Sequence, residues 1–144
     1  MHKKIKIMNQ SDEQEFLNTV RIAGLLKYNM TKTNGKLKEP DVDIMKVARD
    51  ESGTIIGGIS GSTYLLSLEI DVLWVSEAYR GQGIASLLLD EIENEAKEAG
   101  CQLAHLTTYS FQAPQFYHKR GFVVCGEIDG FPNNIKLYIL KKLL

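Results

Sequence analysis

The segment Arg80-Gly81-Gln82-Gly83-Ile84-Ala85 sets two glycines two residues apart, just ahead of an apolar, helix-forming stretch. With no side chain at Gly81 or Gly83, a ligand can come close to the backbone. A helix starting at Ile84 would turn its unpaired N–H groups and the positive end of its dipole toward the loop. Such a terminus suits a pyrophosphate. Upstream, Glu69 and Asp71 lie two residues apart in Leu68-Glu-Ile-Asp-Val-Leu-Trp-Val75. Strand alternation sets Glu69, Asp71, Leu73 and Val75 on one face and Ile70, Val72 and Trp74 on the other. A carboxylate pair facing a cleft can take a proton from an amine, directly or through water, or can attract a cationic substrate with no proton transfer. The alternative is an ion pair or a solvated edge. His105, next to Leu106 on a strand, reads as packed or superficial, and His118 as facing water.

The elements that position these groups follow from periodicity and punctuation. Lys3 to Asn9 alternates charge with Ile5 and Ile7, which predicts a first strand. Ser11 and Gln14 form a capping box ahead of a helix from Asp12 to about Tyr28, with Phe16, Leu17, Val20, Ala23 and Leu26 at helical spacing. Thr31 to Asp41 has no apolar period and reads as a loop or a frayed second helix. Strands are expected over Ile44 to Asp50, Thr54 to Thr63 and Leu65 to Val75, an antiparallel meander. Gly57, Gly58 and Gly61 in the second of them suggest a bulge or a close backbone approach. Ile84, Leu87, Leu88, Ile92 and Ala96 predict an amphipathic helix ending at Gly100. A strand over Cys101 to Thr107 then implies a parallel pair with a right-handed crossover. A short helix from Ala113 to Arg120, a strand from Phe122 to Ile128, a turn over 129–134 and a strand from Ile135 to Lys142 complete one α/β domain, 1–144, on a mixed sheet.

Composition narrows the class. The 144 residues suffice for one domain, and 44% hydrophobic with 24% charged content is ordinary for a globular chain. A net charge of −1 gives no support to a nucleic-acid or anionic-membrane partner. Cys101 and Cys125 fit no metal spacing and read as reduced, buried thiols of a cytoplasmic protein. The basic start Met1-His-Lys-Lys-Ile-Lys has no apolar run behind it, so it does not read as a signal peptide, and no stretch is long and apolar enough to span a membrane.

The glycine segment resembles the acyl-CoA-binding signature of the GNAT superfamily of N-acetyltransferases, Arg/Gln-x-x-Gly-x-Gly/Ala, filled here by Arg80, Gly83 and Ala85. A second block, Ser110-Phe-Gln-Ala-Pro-Gln-Phe-Tyr-His-Lys-Arg-Gly-Phe122, is similar to the family's Phe-Tyr-x-x-x-Gly-Phe through Phe116, Tyr117, Gly121 and Phe122. The two blocks, in this order and separated by a helix and a strand, are far more specific than either alone. The resemblance implies a mixed, mostly antiparallel sheet flanked by helices, with a splayed parallel strand pair at the acyl-CoA site. It implies acetyl-CoA as co-substrate, no metal, and a primary amine acceptor, of a small molecule or of a protein. It also allows a homodimer.

Carried over residue by residue, Leu73, Trp74 and Val75 would line the pantetheine arm, and the N–H groups of Gly81, Gln82, Gly83, Ile84 and Ala85 would hold the pyrophosphate, with Arg80 adding charge or acting through its backbone. Ser110 and Ala113 would also touch the cofactor. Many relatives have asparagine at the Ser110 position, and a hydroxyl can replace one of its two bonds. Tyr117 falls on the family's thiol-protonating tyrosine and also contacts the cofactor. An N–H near Val75 would polarise the thioester carbonyl. Glu69 sits where some relatives keep a catalytic glutamate. Some relatives carry a histidine in a turn like the one after Phe131-Pro132; this chain has Ile135 and Lys136 there, so no base is carried over from that position.

The expected activity is direct acetyl transfer from acetyl-CoA to an amine in a ternary complex. An acyl-CoA-binding sensor that keeps the fold without the chemistry is the alternative, and the retained Tyr117 argues against it. A dinucleotide or P-loop site is a poor fit. Ser86 stands where the dinucleotide pattern needs a third glycine, and no Gly-Lys-Ser/Thr follows.

Overall fold

The computed structural model describes residues 4–35 and 42–144. The chain divides into two compact units, Met1–Glu39 and Pro40–Leu144. In the first unit, α1 (Glu13–Phe16), a segment of wider helical turns (Leu17–Leu26) and α2 (Lys27–Lys32) follow one another. The N-cap is Asp12, whose carboxylate accepts the Glu15 N–H at 3.0 Å, not the expected Ser11. The carboxylate one residue on serves the same orphan donors and also complements the helix dipole. The strand expected over Lys3 to Asn9 is not found in its described part, 4–9. Ile5 and Ile7 stay exposed there, and alternation without a partner strand leaves backbone groups unpaired. Most of the unassigned stretch from Thr31 to Asp41 lies outside the described residues.

The second unit is a six-stranded sheet in the order β1-β2-β3-β4-β6-β5. Its strands are β1 (Val42–Arg49), β2 (Ile55–Tyr64), β3 (Ser67–Val75), β4 (Leu103–Tyr109), β5 (Val123–Ile128) and β6 (Leu137–Leu143). All neighbours are antiparallel except β3 and β4, which run parallel. The crossover between them is α3 (Ile84–Glu98), and α4 (Pro114–Lys119) follows β4. This is the mixed, mostly antiparallel architecture expected. On α3 the buried stripe is Leu88, Leu89, Ile92, Glu93 and Ala96, while Leu87 points to solvent. Both leucines fit the spacing, and only the sheet's position chooses between them.

The core lies between α3 and one face of the sheet. Ile44, Ile59, Leu68, Ile70, Val75, Ala104, Leu106 and Leu140 meet Leu88, Leu89, Ile92 and Ala96 there. Buried Glu93, 4% exposed, is held by Lys142 Nζ, which donates to both carboxylate oxygens at 2.9 and 3.0 Å. The far face is less covered: Met45, Val47, Val72 and Trp74 are all exposed.

Two local findings differ from simple pattern reading. Leu65 and Leu66, expected to open β3, instead form a tight hairpin turn with positive φ of 53° and 54°. Neither residue type signals a turn, so the sequence hides it. Cys125, expected to be buried like Cys101, is exposed. It sits at a bulge between Val124 and Gly126 on edge strand β5. Its neighbour Val124 is the residue that faces buried Leu140, so alternation turns Cys125 away from the core, and its thiol donates to the Ile139 carbonyl at 3.4 Å.

Candidate active site

The site begins at a register shift. Opposite β2, Ser60 pairs with Val72 and Gly61 with Ile70, leaving Asp71 as an extra residue in β3. Gly61 permits this: a Cβ there would stand 2.5 Å from the Glu69 carbonyl oxygen. The bulge corrects the strict alternation expected of β3. Leu68, Ile70, Leu73 and Val75 share the α3 face with their partners Thr63, Gly61, Ile59 and Gly57, while Glu69, Val72 and Trp74 share the far face. Glu69 therefore does not share a face with Leu73 and Val75, because one inserted residue inverts the phase of everything after it.

Just at the bulge, β3 and β4 part. Their pairing covers Ser67↔Leu103 to Ile70↔Leu106 and stops, although β3 runs on to Val75 and β4 to Tyr109. Between the diverging limbs is a cleft of about 590 Å³. Asp71, Leu73, Trp74, Val75, Arg80, Ala85, Phe111, Ala113 and Tyr117 are among its walls. Unpaired strand edges on both sides supply the donors and acceptors that an extended, amide-bearing arm needs.

At the α3 end of the cleft, the chain turns through a short helix (Glu77–Tyr79) into the glycine loop. Gly81 and Gly83 have φ of 78° and 82°, and nothing lies within 4 Å of where a Cβ would project. No side chain caps α3; its first intrahelical bond is Leu87 N–H to the Gly83 carbonyl at 3.1 Å. The loop is thus open above and rich in N–H groups, which fits a pyrophosphate. Arg80 Nε donates to the Val75 carbonyl at 3.0 Å, fixing the loop to the end of β3.

At the other wall, Ala113 takes a left-handed conformation, φ 56°, and Pro114 opens α4. Tyr117 then faces the cleft, braced edge-on by Phe116 at 5.2 Å and Phe122 at 5.7 Å. Burial among these rings pushes its phenol pKa up, so it holds its proton more firmly than a free tyrosine. Lys142 lies 5.7 Å from the Phe122 ring, linking this wall to the buried Glu93 pair.

Most of the expected cofactor residues, Leu73, Trp74, Val75, Arg80, Ala85, Ala113 and Tyr117, converge on the cleft, and the glycine loop leads into α3 beside it. Ser110 is turned elsewhere: its Oγ accepts the Lys136 N–H at 3.2 Å, and its own N–H donates to the Lys136 carbonyl at 2.8 Å. Glu69 lies on the far face, one rung from the end of the β3–β4 pairing, with Ser62 on one side and His105 on the other. The exposed His118 has Nδ1 3.2 Å from the Phe122 carbonyl oxygen. Sequence reasoning missed Phe111, Gln112 and Thr107 as cleft walls, since their position depends on where β3 and β4 diverge. No group of three or more His, Cys, Asp or Glu residues suited to a metal ion occurs among the described residues, and no helix there is long and apolar enough to cross a membrane.

Comparison with known proteins agrees with this geometry. The family model of the acetyltransferase (GNAT) domain matches residues 42–124. A blasticidin-S acetyltransferase of Streptomyces morookaense is 36% identical over 95 residues, covering 65% of this chain and 70% of the relative. The crystal structure of an acetyltransferase from Bacillus cereus superposes with a TM-score of 0.86 at 36% identity, covering 98% of each chain. A Bacillus anthracis structure described as a streptothricin acetyltransferase, in complex with acetyl coenzyme A, shares the fold with a TM-score of 0.64 at 24% identity, covering 77% of this chain and 67% of its own. The glycine loop, the splayed strands and the aromatic wall at Tyr117 all belong to, or directly follow from, the matched segment, and the chain is a member of the GNAT family of acetyltransferases.

Proposed function

We propose that this protein moves the acetyl group of acetyl-CoA directly to a primary amine of a small molecule, within a ternary complex. The observation that carries the reading is the cleft opened where β3 and β4 part, with an uncapped helix N-terminus at one end and a firmly protonated tyrosine on its wall. Bound acetyl-CoA supplies an activated acyl carbon and a thiolate leaving group. The N–H groups from Gly81 to Ala85 hold the pyrophosphate, and the free edge of β3 from Leu73 to Val75 aligns the pantetheine arm. An N–H near Val75 stabilises charge on the thioester oxygen. Tyr117 gives its proton to the departing thiolate and regains one from water. Glu69 takes the proton that the amine, with an ordinary pKa of about 10, must lose before it can attack. The relative named for blasticidin S supports a small-molecule acceptor. The protein is expected to act in the cytoplasm, alone or as a homodimer.

The test is thiol release from acetyl-CoA across a panel of amines, polyamines, amino acids, aminoglycosides and peptides. Acceptor-dependent release that falls steeply in Glu69→Gln, with acetyl-CoA affinity kept, is expected. Tight acetyl-CoA binding without release to any acceptor would favour a sensor of the same fold. Unchanged turnover in Glu69→Gln would remove that residue as the base.

A further inference from the structure

The far face of the sheet carries aromatic side chains at the cleft mouth. Tyr109, at the end of β4, stacks on Phe111 with centroids 5.5 Å apart and planes 3° from parallel. Phe131, from the turn before β6, meets Tyr109 edge-on at 5.6 Å. The loop beneath is firmly tied: Tyr109 N–H donates to Gln112 Oε1 and Gln112 N–H to the Tyr109 carbonyl, both at 2.9 Å. Phe111 is nevertheless 66% exposed. On the opposite limb, Trp74 is 50% exposed, and its cross-strand partner is Gly58, which offers no side chain to cover the indole. Both rings line the cleft.

Charge along the cleft is polarised. Its charged lining residues are Arg80, bound to Val75 beside the glycine loop, and Asp71, at the bulge where the strands part. The loop end is cationic and rich in N–H groups, which suits phosphate. The bulge end joins a carboxylate to aromatic rings. Ring faces attract cations and stack on other rings, and a carboxylate attracts an ammonium. An aliphatic acceptor would leave these rings wet, and an anionic one would be repelled by Asp71.

We propose that the acceptor is an amine bearing a flat aromatic ring, held between Trp74 and the Phe111–Tyr109 stack with its ammonium toward Asp71. The assignment rests on the amine-acetylation reading above and gives it a substrate class. Trp74 is the chain's single tryptophan, so its fluorescence reports directly on this mouth. Titration with 2-phenylethylamine and 2-cyclohexylethylamine, at saturating CoA, compares a flat ring with a puckered one on the same chain. The phenyl amine should perturb Trp74 saturably and bind about tenfold more tightly. Phe111→Leu should erase that preference, and Phe111→Tyr should keep it.

Equal affinity, no saturable change with either amine, an unaltered preference in Phe111→Leu, or competition between CoA and the phenyl amine would each overturn the proposal. Thiol release with the same two amines separates this inference from its premise. Equal turnover of both would keep amine acetylation and discard the aromatic site. Preferential binding of the phenyl amine without any release would leave an aryl-amine site and discard the transfer reading.

Discussion

The two faces of one sheet are put to different uses. The α3 face is closed: Leu68, Leu89, Ile92, Ala104 and Leu140 are wholly buried there, and even the buried carboxylate of Glu93 is paired. The far face leaves Met45, Val72 and Trp74 in contact with water and carries Glu69 and His105 side by side. A face that packs a helix is held by shape, and small changes there are felt throughout. A face left half open has side chains available for a ligand. The bulge at Asp71 is where β3 re-aims its residues, and the cleft that joins the two faces opens at the same point.

The largest expected effect tests the cleft wall. Tyr117→Phe should lower kcat by about 10²- to 10⁴-fold while acetyl-CoA affinity is nearly kept, measured by thiol release and calorimetry. Because burial raises the Tyr117 pKa, the acid form persists as pH rises. The alkaline fall in kcat/KM should therefore lie above the ordinary tyrosine value of about 10 and vanish in the variant. A fall centred below that value would assign it to another group.

The closed face should be sensitive where the far face is not. Lys142→Met strands a buried carboxylate and should cost about 3–5 kcal/mol in urea unfolding, most of it recovered by adding Glu93→Leu. Val72→Ala on the far face should change stability by under about 0.5 kcal/mol. Comparable losses at both positions would erase the distinction between the faces.

Gly61→Ala probes the bulge itself. Its new methyl would press on the Glu69 carbonyl oxygen, costing about 1–3 kcal/mol and lowering turnover together, since both limbs of the cleft start there. Stability lost with turnover intact would separate the bulge from the site. The smallest effect should come from the hairpin. Leu65→Asn with Leu66→Gly relieves two left-handed leucines and should stabilise by about 1–2 kcal/mol with activity unchanged, read from Tm and thiol release. A lower Tm would mean that those leucines contribute contacts worth more than their strain.

Much of this was legible in the chain because its signals are local. Gly81 and Gly83 mark an open loop ahead of a helix, since tolerance of positive φ and the absence of a Cβ belong to the residue itself. The apolar period of α3, the strands around it, and the pairing of the glycine block with Phe116-Tyr117-x-x-x-Gly121-Phe122 pointed to the fold for the same reason. Leu65-Leu66 gave no such signal, because leucine turns only when the strands on either side demand it. Cys125 and Leu87 were misread because period alone cannot say which side a neighbour will cover.

The sequence by itself determined the open glycine loop ahead of α3, the order of elements from β1 to β6 and the family. The tertiary structure alone decided where β3 and β4 part, that Asp71 is the inserted residue, and that Glu69 lies on the far face while Leu73 and Val75 lie on the other. Strand register is settled by pairing across Gly61, a contact between residues remote in the chain, so no local pattern encodes it.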